Sequence, residues 1–348
     1  MMNKKLNKIW KTNSKTPFLI AEIGGNHEGD FTKALELTKL AIKSKVDCIK
    51  YQIYDADSIV NKKLSPERNK HFKKFELSID HHIELAKICK KNKVFYSASI
   101  WNLDSIDIID QYIDFYKIGS GDLTAYPFLK KIAMIGKPII LSTGLSNQNE
   151  VFQAINFIQK TNAIYKSKDN MGVLQCTSMY PIMNTDVNLN VMKTYKDKTS
   201  LAVGYSDHTI GIEAIKTAII MNADIIEFHF TDNDSRINKK FRDHQVSLTI
   251  EEITELRKFI YNTNLIKGEN KKKLLKIETE NNHDISFRRG VFLRNGKKKG
   301  EIINENDLIF LRPAIGTDAR EYKKLIGAIT IKDINPLDKL IIDVDYKI

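Results

Sequence analysis

The amino-acid sequence predicts a (β/α)8 barrel followed by a small β-rich domain. The chain has 348 residues, which leaves room for one large α/β domain of roughly 250 residues and one small module. Eight short runs rich in β-branched and aromatic residues occur, and each is followed by a segment with apolar residues at helical spacing. From residue 286 onward this alternation stops, and short strand and turn patterns replace it.

The predicted strands define the barrel. In the first segment between them, Ala34, Leu37 and Ala41 lie on one helix face. Strands that alternate with helices pair in parallel through right-handed crossovers, and eight such units match a closed barrel. A doubly wound sheet is the alternative, but it needs fewer strands and normally a glycine-rich first turn. The predicted strands are residues 18–23, 48–52, 94–97, 115–118, 138–141, 171–175, 201–205 and 225–230.

The change of pattern sets the domain boundaries. We predict a barrel domain over residues 1–261, a polar and lysine-rich linker over 262–285, and a β-rich domain over 286–348. A domain of some ~60 residues buries little core by itself, so we expect it to dock on another surface. The strands predicted within it are residues 291–293, 308–311 and 340–344.

Composition limits the class of protein. The chain is 42% hydrophobic and 28% charged, as expected of a packed domain. No run approaches the roughly 18 apolar residues of a membrane span. The lysines near the N-terminus have no apolar stretch behind them, so we expect no secretory signal and no membrane partner. Cys48, Cys89 and Cys176 include no CxxC pair, which indicates reduced thiols in a cytoplasmic protein.

The net charge of +12 has several possible sources. A basic protein can bind nucleic acid, a membrane surface or small anions. The lysines here are mostly scattered, and no basic stripe alternates with aromatic residues, so we expect no nucleic-acid partner. We assign most of the charge to a solvated surface and part of it to attraction of anionic substrates.

Polar residues lie at the ends of the first, second, fourth and fifth predicted strands, where barrel enzymes place their chemistry. Glu22 precedes a glycine-containing turn, which suits a catalytic acid, although a structural ion pair is an equally good interpretation. Lys50 and Gln52 share one face of the second strand. Lys117 and Ser142 lie in or after the fourth and fifth strands. Lysines inside apolar strands, next to hydroxyls and glycine amides, predict a cradle for phosphate or carboxylate.

Two histidines lie at the ends of the last two predicted strands. His208 comes after the seventh strand and His229 lies in the eighth, next to Asp207 and Glu227. A lone histidine is usually structural, but two at neighbouring strand ends can share a divalent metal. We expect no cysteine near them and therefore no thiolate zinc site, and two nitrogens completed by oxygens and water suit Mn²⁺, Co²⁺ or Fe²⁺.

The motifs taken together resemble the N-acetylneuraminate (sialic acid) synthase family, and their order and spacing match over almost the whole chain. The C-terminal RPAIG stretch at residues 312–316 resembles the antifreeze-like (SAF) module of that family. The matching motifs are AEIGGNHEGD at 21–30, IKYQ at 49–52, KIGSGD at 117–122, KPIILSTG at 137–144, GYSDHTIG at 204–211 and EFH at 227–229.

The resemblance implies condensation of phosphoenolpyruvate with an open-chain N-acetylated aldose, such as N-acetylmannosamine, to give a nine-carbon 2-keto acid and phosphate. It implies a metal on His208 and His229, proton handling by Glu22, and a domain-swapped homodimer in which Arg312 reaches the partner's sugar. The residues implied to bind phosphoenolpyruvate are Lys50, Lys117, Ser120, Ser142 and Ser206. Those implied to touch the sugar or the intermediate are Gln52, Ser178, Tyr180 and Asp243, of which Asp243 is also a catalytic candidate.

Departures from the family pattern concentrate on the sugar side. Ser178 stands where the family commonly has Asn, and Phe228 stands where it often has Lys. After the eighth strand the family often has a Gly-Pro-Asp turn, whereas here Phe241-Arg242-Asp243-His244 follows a longer charged loop. The third strand ends without the usual nearby acid. The sugar identity is therefore open between N-acetylmannosamine, a diacetamido-trideoxy hexose and another aldose. The alternatives for the whole protein are another phosphoenolpyruvate-dependent aldol synthase or a catalytically idle carbohydrate-binding homologue.

Overall fold

The computed structural model describes residues 9–12, 16–239 and 241–348, and divides the chain into two compact units, Met1–Gly268 and Glu269–Ile348. The first unit contains a closed barrel of eight parallel strands, each hydrogen-bonded to the next and the eighth to the first. The predicted (β/α)8 fold is therefore confirmed. Among the described residues, no helix is both long enough and apolar enough to cross a membrane.

All eight predicted barrel strands are present: the fourth has the predicted bounds, and the ends of the others differ by at most three residues. Their bounds are β1 Phe18–Glu22, β2 Cys48–Ile53, β3 Phe95–Ile100, β4 Phe115–Ile118, β5 Ile139–Ser142, β6 Met171–Cys176, β7 Ala202–Asp207 and β8 Ile225–His229. The helices of this unit are α1 Phe31–Lys43, α2 Ala56–Ile59, α3 Pro66–Lys73, α4 Ile79–Lys91, α5 Leu103–Ile109, α6 Tyr126–Ile135, α7 Gln148–Thr161, α8 Val191–Lys198, α9 Glu213–Ile220, α10 Asn233–Asn238, α11 Arg242–Gln245 and α12 Ile250–Lys267.

Local sequence signals explain where the outer helices begin. Asp30 accepts hydrogen bonds from two backbone N–H groups of the first turn of α1. Asn147 and Glu150 form a reciprocal capping box at the start of α7. The inward faces of these helices carry small or aliphatic residues, such as Ala34 and Ala154, which are fully buried against the barrel. The loops that lead into α1 and α7 are thus fixed where the helix begins.

The strand register brings the polar residues of the strand ends to one level. Glu22 pairs with Lys50 on β2 and with His229 on β8, across the seam that closes the barrel. Ser206 on β7 pairs with Glu227 on β8. Because all strands run parallel, these residues meet at the carboxyl-terminal mouth, where barrel enzymes have their active sites.

Two details of the predicted barrel domain differ from the structure. The segment between β2 and α4 contains α2 and α3, which the apolar spacing did not indicate because α3 is largely polar and exposed. The last barrel helix α12 continues to Lys267, beyond the predicted domain end at residue 261, since buried Leu256 and Ile260 continue its apolar face. The first residues of the predicted linker 262–285 therefore belong to this helix.

The second unit has its own small core. It contains α13 Lys276–Glu280, α14 His283–Ser286, β9 Gly290–Leu293, β10 Leu308–Leu311, β11 Ile329–Thr330 and β12 Tyr346–Lys347. β9 pairs antiparallel with β10, and β11 with β12. The prediction of a strand at residues 340–344 is wrong. Asp343 has φ of 61°, and the Asp345 carboxylate accepts a hydrogen bond from the Ile341 N–H, so this stretch forms a turn.

Candidate active site

One cavity of about 1070 Å³ at the barrel mouth brings the predicted site residues together. Its lining includes every predicted residue of the first unit, and these come from the ends of seven strands and from the β8–α12 segment. They are Glu22, Lys50, Gln52, Lys117, Ser120, Ser142, Ser178, Tyr180, Ser206, His208, His229 and Asp243. Arg312 lies in the second unit, where its exposed guanidinium sits 5.7 Å from the centre of the Phe287 ring.

Two buried lysines are balanced by two buried glutamates. Lys50 Nζ lies 2.5 Å from Glu22 Oε2 and 3.9 Å from Glu227 Oε2, and Lys117 Nζ lies 3.3 Å from Glu227 Oε1. Burial by itself raises the pKa of Glu227, but Lys117, Lys50 and the Ser206 hydroxyl outweigh it and lower that pKa to about 2. Glu227 is therefore a permanent anion that keeps both lysines charged inside the barrel.

Hydroxyl groups converge around Lys117. Its ammonium donates to Ser142 Oγ at 2.6 Å, and Ser120 Oγ accepts the Gly144 N–H at 3.0 Å. A side chain at position 144 would lie 2.9 Å from Ser120 Oγ and collide with Ser178 Oγ, so only glycine leaves this space open. An ammonium group, several hydroxyls and a close backbone form a cradle suited to a phosphate or carboxylate.

Glu22 and Asp243 are the acid candidates beside this cradle. Gln52 Nε2 donates to Glu22 Oε1 at 3.1 Å. A Cβ at Gly24 would lie 3.1 Å from Glu22 and 3.6 Å from Asp243, which shows that both carboxyls face the same turn. Burial, more than Lys50 can offset, raises the pKa of Glu22, and burial also raises the pKa of Asp243. Carboxyls with raised pKa values are suited to hold and transfer protons near neutral pH.

Asp243 is fixed by contacts that the sequence did not reveal. Arg242 Nε donates to its Oδ1 at 3.1 Å, and the Arg242 guanidinium lies 4.6 Å from the centre of the Tyr180 ring. Ser247 Oγ donates to the Asp243 carbonyl at 2.6 Å and accepts from Asn26 Nδ2 at 2.8 Å. The loops after β1 and β8 are therefore tied together next to the cavity.

The two predicted metal-binding histidines lie side by side. The ring centres of His208 and His229 are 5.4 Å apart, and Tyr180 packs 4.0 Å from the ring of His208. His208 Nδ1 donates to the Thr177 carbonyl at 2.7 Å, which leaves its Nε2 free for a ligand. His229 Nδ1 is buried without a hydrogen-bond partner. Two available imidazole nitrogens at this spacing fit a shared divalent metal.

The charge states of the two histidines differ. Burial, His208 and Lys50 lower the pKa of His229 well below its ordinary value, so this imidazole is neutral. Burial also disfavours charge on His208, but the Cys176 thiol, the Thr177 carbonyl and Asp207 raise its pKa overall. In the described part of the chain, no three His, Cys, Asp or Glu side chains cluster as metal ligands. Further ligands of a metal on the two imidazoles would come from water or substrate.

Sequence reasoning missed an aromatic part of the lining. We call it the aromatic wall, and it consists of Tyr54, Phe72, Phe75, Trp101 and Phe241. Phe72 lies in α3, an element that was not predicted, and Phe75 lies in the chain that leaves it. The signal available was that Tyr54 and Trp101 each follow directly after a barrel strand. Residues that follow strand ends line the mouth of such a barrel.

The fold and the cavity together define a (β/α)8-barrel enzyme with a polar site at the strand ends. Residues 37–272 match the NeuB family, and the chain belongs to this family. It is 35% identical over 332 residues to the N,N'-diacetyllegionaminic acid synthase of Campylobacter jejuni, covering 92% of this chain and 97% of that protein. It is 29% identical to the human N-acetylneuraminate-9-phosphate synthase, over 79% of this chain and 78% of the human protein.

A solved structure supports the same assignment. The N-acetylneuraminic acid (sialic acid) synthetase of Leptospira borgpetersenii, crystallised in complex with citrate, superimposes with a TM-score of 0.70 at 27% identity. The match covers 78% of this chain and 92% of that one. The sequence-based recognition of a sialic acid synthase family member is confirmed, and the chain is a sialic-acid-synthase-type enzyme.

Proposed function

We propose that this enzyme condenses phosphoenolpyruvate with the open-chain form of an N-acetylated amino-sugar aldose, giving a nine-carbon 2-keto acid and inorganic phosphate. The observation that carries the proposal is the pair of buried lysines, Lys50 and Lys117, which line a cavity together with serine hydroxyls and two imidazoles. Phosphoenolpyruvate carries both a carboxylate and a phosphate, and such a cradle matches both groups. The names of the relatives support the sugar half of the proposal.

The chain's residues suit each step of this reaction. Lys117, with Ser120 and Ser142, holds the phosphate, and Lys50 holds the carboxylate. The C3 carbon of the enol attacks the aldehyde carbon and forms the new C–C bond. Water then adds at C2, and the C2–O bond to phosphate breaks. Glu22 and Asp243, with pKa values raised by burial, hold the protons that the aldehyde oxygen takes up and the attacking water gives up.

A divalent metal is part of the proposal, with Mn²⁺ preferred and Co²⁺ or Fe²⁺ possible. His208 and His229 would hold it, and when bound it would act as a Lewis acid toward the sugar aldehyde. Mn²⁺ binding to the metal-free protein is the direct measurement, by titration calorimetry. His208→Ala should abolish it, while His283→Ala in the second unit should leave it intact. Because a proton on His208 competes with the metal, affinity should rise with pH.

The proposed assembly is a domain-swapped homodimer in the cytoplasm. The βα loops at the barrel mouth expose Leu64, Leu145, Met179, Met183, Ile210 and Ile237, which are 62% to 82% exposed. Exposed apolar residues around a catalytic mouth favour a covering surface. We assign that surface to the C-terminal unit of a second copy, with Arg312 directed at the sugar. Mixing inactive Glu22→Ala with inactive Arg312→Ala should restore activity in exchanged dimers, because one site then holds both native residues. Exchange without recovery would reject the swap.

The reaction itself is tested by incubating the full chain with phosphoenolpyruvate, Mn²⁺ and N-acetylmannosamine or a related amino sugar. Phosphate release in a one-to-one ratio with a nine-carbon keto acid, identified by mass, is the expected result. Release with only non-acetylated or phosphorylated aldoses would instead support another aldol synthase. Sugar binding without phosphate release, at full metal occupancy, would identify an idle carbohydrate-binding homologue.

A further inference from the structure

The acid candidate Asp243 belongs to a helix too short to hold its own side chain in place. Helix α11 spans only Arg242–Gln245, a single turn. The Asp243 carboxylate is buried, and the ion pair at its Oδ1 comes from Arg242, whose side chain is 63% exposed. Exposed pairs of this kind stabilise little. Contacts on the buried side of the turn are therefore needed to keep Asp243 in position.

His244, the next residue, makes these buried contacts. Its side chain is fully buried. Nδ1 lies 2.8 Å from Oγ1 of Thr231, which follows β8, and Nε2 lies 3.2 Å from Oε1 of Glu28, in the loop between β1 and α1. We call Glu28, His244 and Thr231 the imidazole brace. It connects the turn that carries Asp243 to the loops after β1 and β8.

Hydrogen-bond chemistry determines the tautomer of His244. A carboxylate only accepts, so the proton between His244 and Glu28 is on Nε2. Burial lowers the pKa of His244, and the Glu28 carboxylate only partly offsets this, so the imidazole is neutral and its Nδ1 is an acceptor. The Thr231 hydroxyl therefore donates to Nδ1. Both ring nitrogens are thus paired, and the ring has one defined orientation between the two loops.

The order carboxylate, imidazole, hydroxyl is also that of a nucleophilic triad. Thr231 is fully buried, however, and none of the three described side chains is among those that line the cavity. A substrate in the cavity therefore does not reach the Thr231 hydroxyl. This arrangement can act on the reaction only through the residues that it holds.

The brace holds a residue that lies next to the reacting groups. Asp243 Oδ2 lies 3.9 Å from Nδ1 of His229. The Asp243 carbonyl accepts a hydrogen bond from Ser247 Oγ at 2.6 Å, which fixes the backbone but not the carboxyl. A rotation of the turn about this point would move the carboxyl relative to the cavity. Misplacement of a reacting group by about 1 Å can lower a rate by about 100-fold.

We propose that His244, held by Glu28 and Thr231, is a positioning residue that orients the Asp243 carboxyl for proton transfer. This inference rests on the proposed function, because it concerns an acid of that reaction. The lysine cradle lies on other strands, so loss of the brace should lower kcat and leave the binding of phosphoenolpyruvate unchanged.

The first test removes the hydroxyl of the brace. Thr231→Val keeps the shape of the side chain and should lower kcat by about 10- to 100-fold, with an unchanged Michaelis constant for phosphoenolpyruvate. Thr231→Ser keeps the hydroxyl and should restore most of the activity. Thr254→Val is the matched control with wild-type kcat, since it removes a hydrogen-bonded hydroxyl from an exposed position of α12. Glu28→Ala removes the other end of the brace, at a side chain that is 34% exposed, and should also lower kcat.

A double-variant cycle separates positioning of Asp243 from general support of the fold. Asp243→Asn alone should lower kcat by about 100-fold or more. If the brace acts through Asp243, adding Thr231→Val to Asp243→Asn lowers kcat by less than about twofold further. Losses that multiply in the double variant overturn the inference. Loss of Mn²⁺ affinity in Thr231→Val also overturns it, because the effect would then lie on His229.

Nuclear magnetic resonance of the wild-type protein with ¹⁵N-labelled histidine tests the brace without turnover. At neutral pH, His244 should be uncharged with its proton on Nε2, and the signal is assigned by its loss in His244→Gln. A charged ring, or a proton on Nδ1, refutes the brace. An active wild type with unchanged kcat in folded Thr231→Val and Glu28→Ala rejects the inference alone. A wild type that releases no phosphate with any amino sugar rejects the proposed function and the inference with it.

Discussion

Replacement of Lys117 by alanine tests the anion cradle most directly. Lys117 is 4% exposed, and its ammonium contacts Ser142 at 2.6 Å and Glu227 at 3.3 Å. The variant removes the Lys117 cation from this cradle and leaves Glu227 with Lys50 at 3.9 Å and with the hydrogen bond from the Ser206 hydroxyl. We therefore expect the barrel to remain folded and to bind the substrate phosphate more weakly.

The size of the effect follows from the burial of the contact. Losing one charged hydrogen-bond contact to a buried anion costs about 2–5 kcal/mol. At about 1.4 kcal/mol per factor of ten, kcat/KM for phosphoenolpyruvate falls by roughly 30-fold to several thousand-fold. Because Lys50 is retained, we expect the decrease in kcat/KM to lie near the smaller end of this range. Steady-state phosphate release at saturating sugar measures it, with circular dichroism to establish that the variant is folded.

The matched control is Lys131→Ala on α6. Lys131 is also a lysine in an ion pair, 2.9 Å from Asp107, but its side chain is 39% exposed. Exposed pairs of this kind contribute little, so the control should retain wild-type kinetics. If Lys117→Ala is folded and also retains wild-type kcat/KM for phosphoenolpyruvate, the assignment of the cradle is wrong.

Three further predictions concern the supports of the site. Gly144→Ala should lower kcat/KM for phosphoenolpyruvate by about tenfold or more, because its Cβ displaces the hydroxyls of Ser178 and Ser120. Asn26→Ala should cost about 1–3 kcal/mol in urea unfolding, since it leaves the Phe230 carbonyl and Ser247 without their buried donor. Burial lowers the pKa of His82 from 6.5 to about 3, so its contribution to stability is complete above pH 6.5 and is lost toward pH 3. His82→Asn should therefore reduce the slope of the free energy of unfolding against pH by about 1.4 kcal/mol per pH unit between pH 6 and 4.

The sequence predicted those site residues whose position depends on short-range regularity. Alternation along a strand places Lys50 and Gln52 on one face, and parallel strands bring their carboxyl ends to one level. These two rules suffice to collect Glu22, Lys117 and His229 at the same mouth without any knowledge of side-chain contacts. The fold class followed from the same repetition of strand and helix.

The remaining parts of the site depend on contacts between distant segments. The stacking of Phe75 on Phe241 joins residues far apart in the chain, and nothing in the local pattern of either indicates the other. The same holds for Asn26 and Ser247, which are 221 residues apart. Helix α3 was missed because its apolar residues are few and face the cavity instead of the barrel core.

The two glutamates of the lysine pair differ in a way that fits the proposed chemistry. Both are buried next to Lys50, yet Glu227 also contacts Lys117 and Ser206, and its pKa falls to about 2. Glu22 lacks these additional partners and is repelled by the charge of Glu227, so burial raises its pKa. An anionic substrate bound to the lysines would add negative charge beside Glu22 and raise its pKa further. Glu227 thus maintains the cations of the proposed anion cradle, and an anion bound there would favour a proton on Glu22, where the proposed condensation needs one.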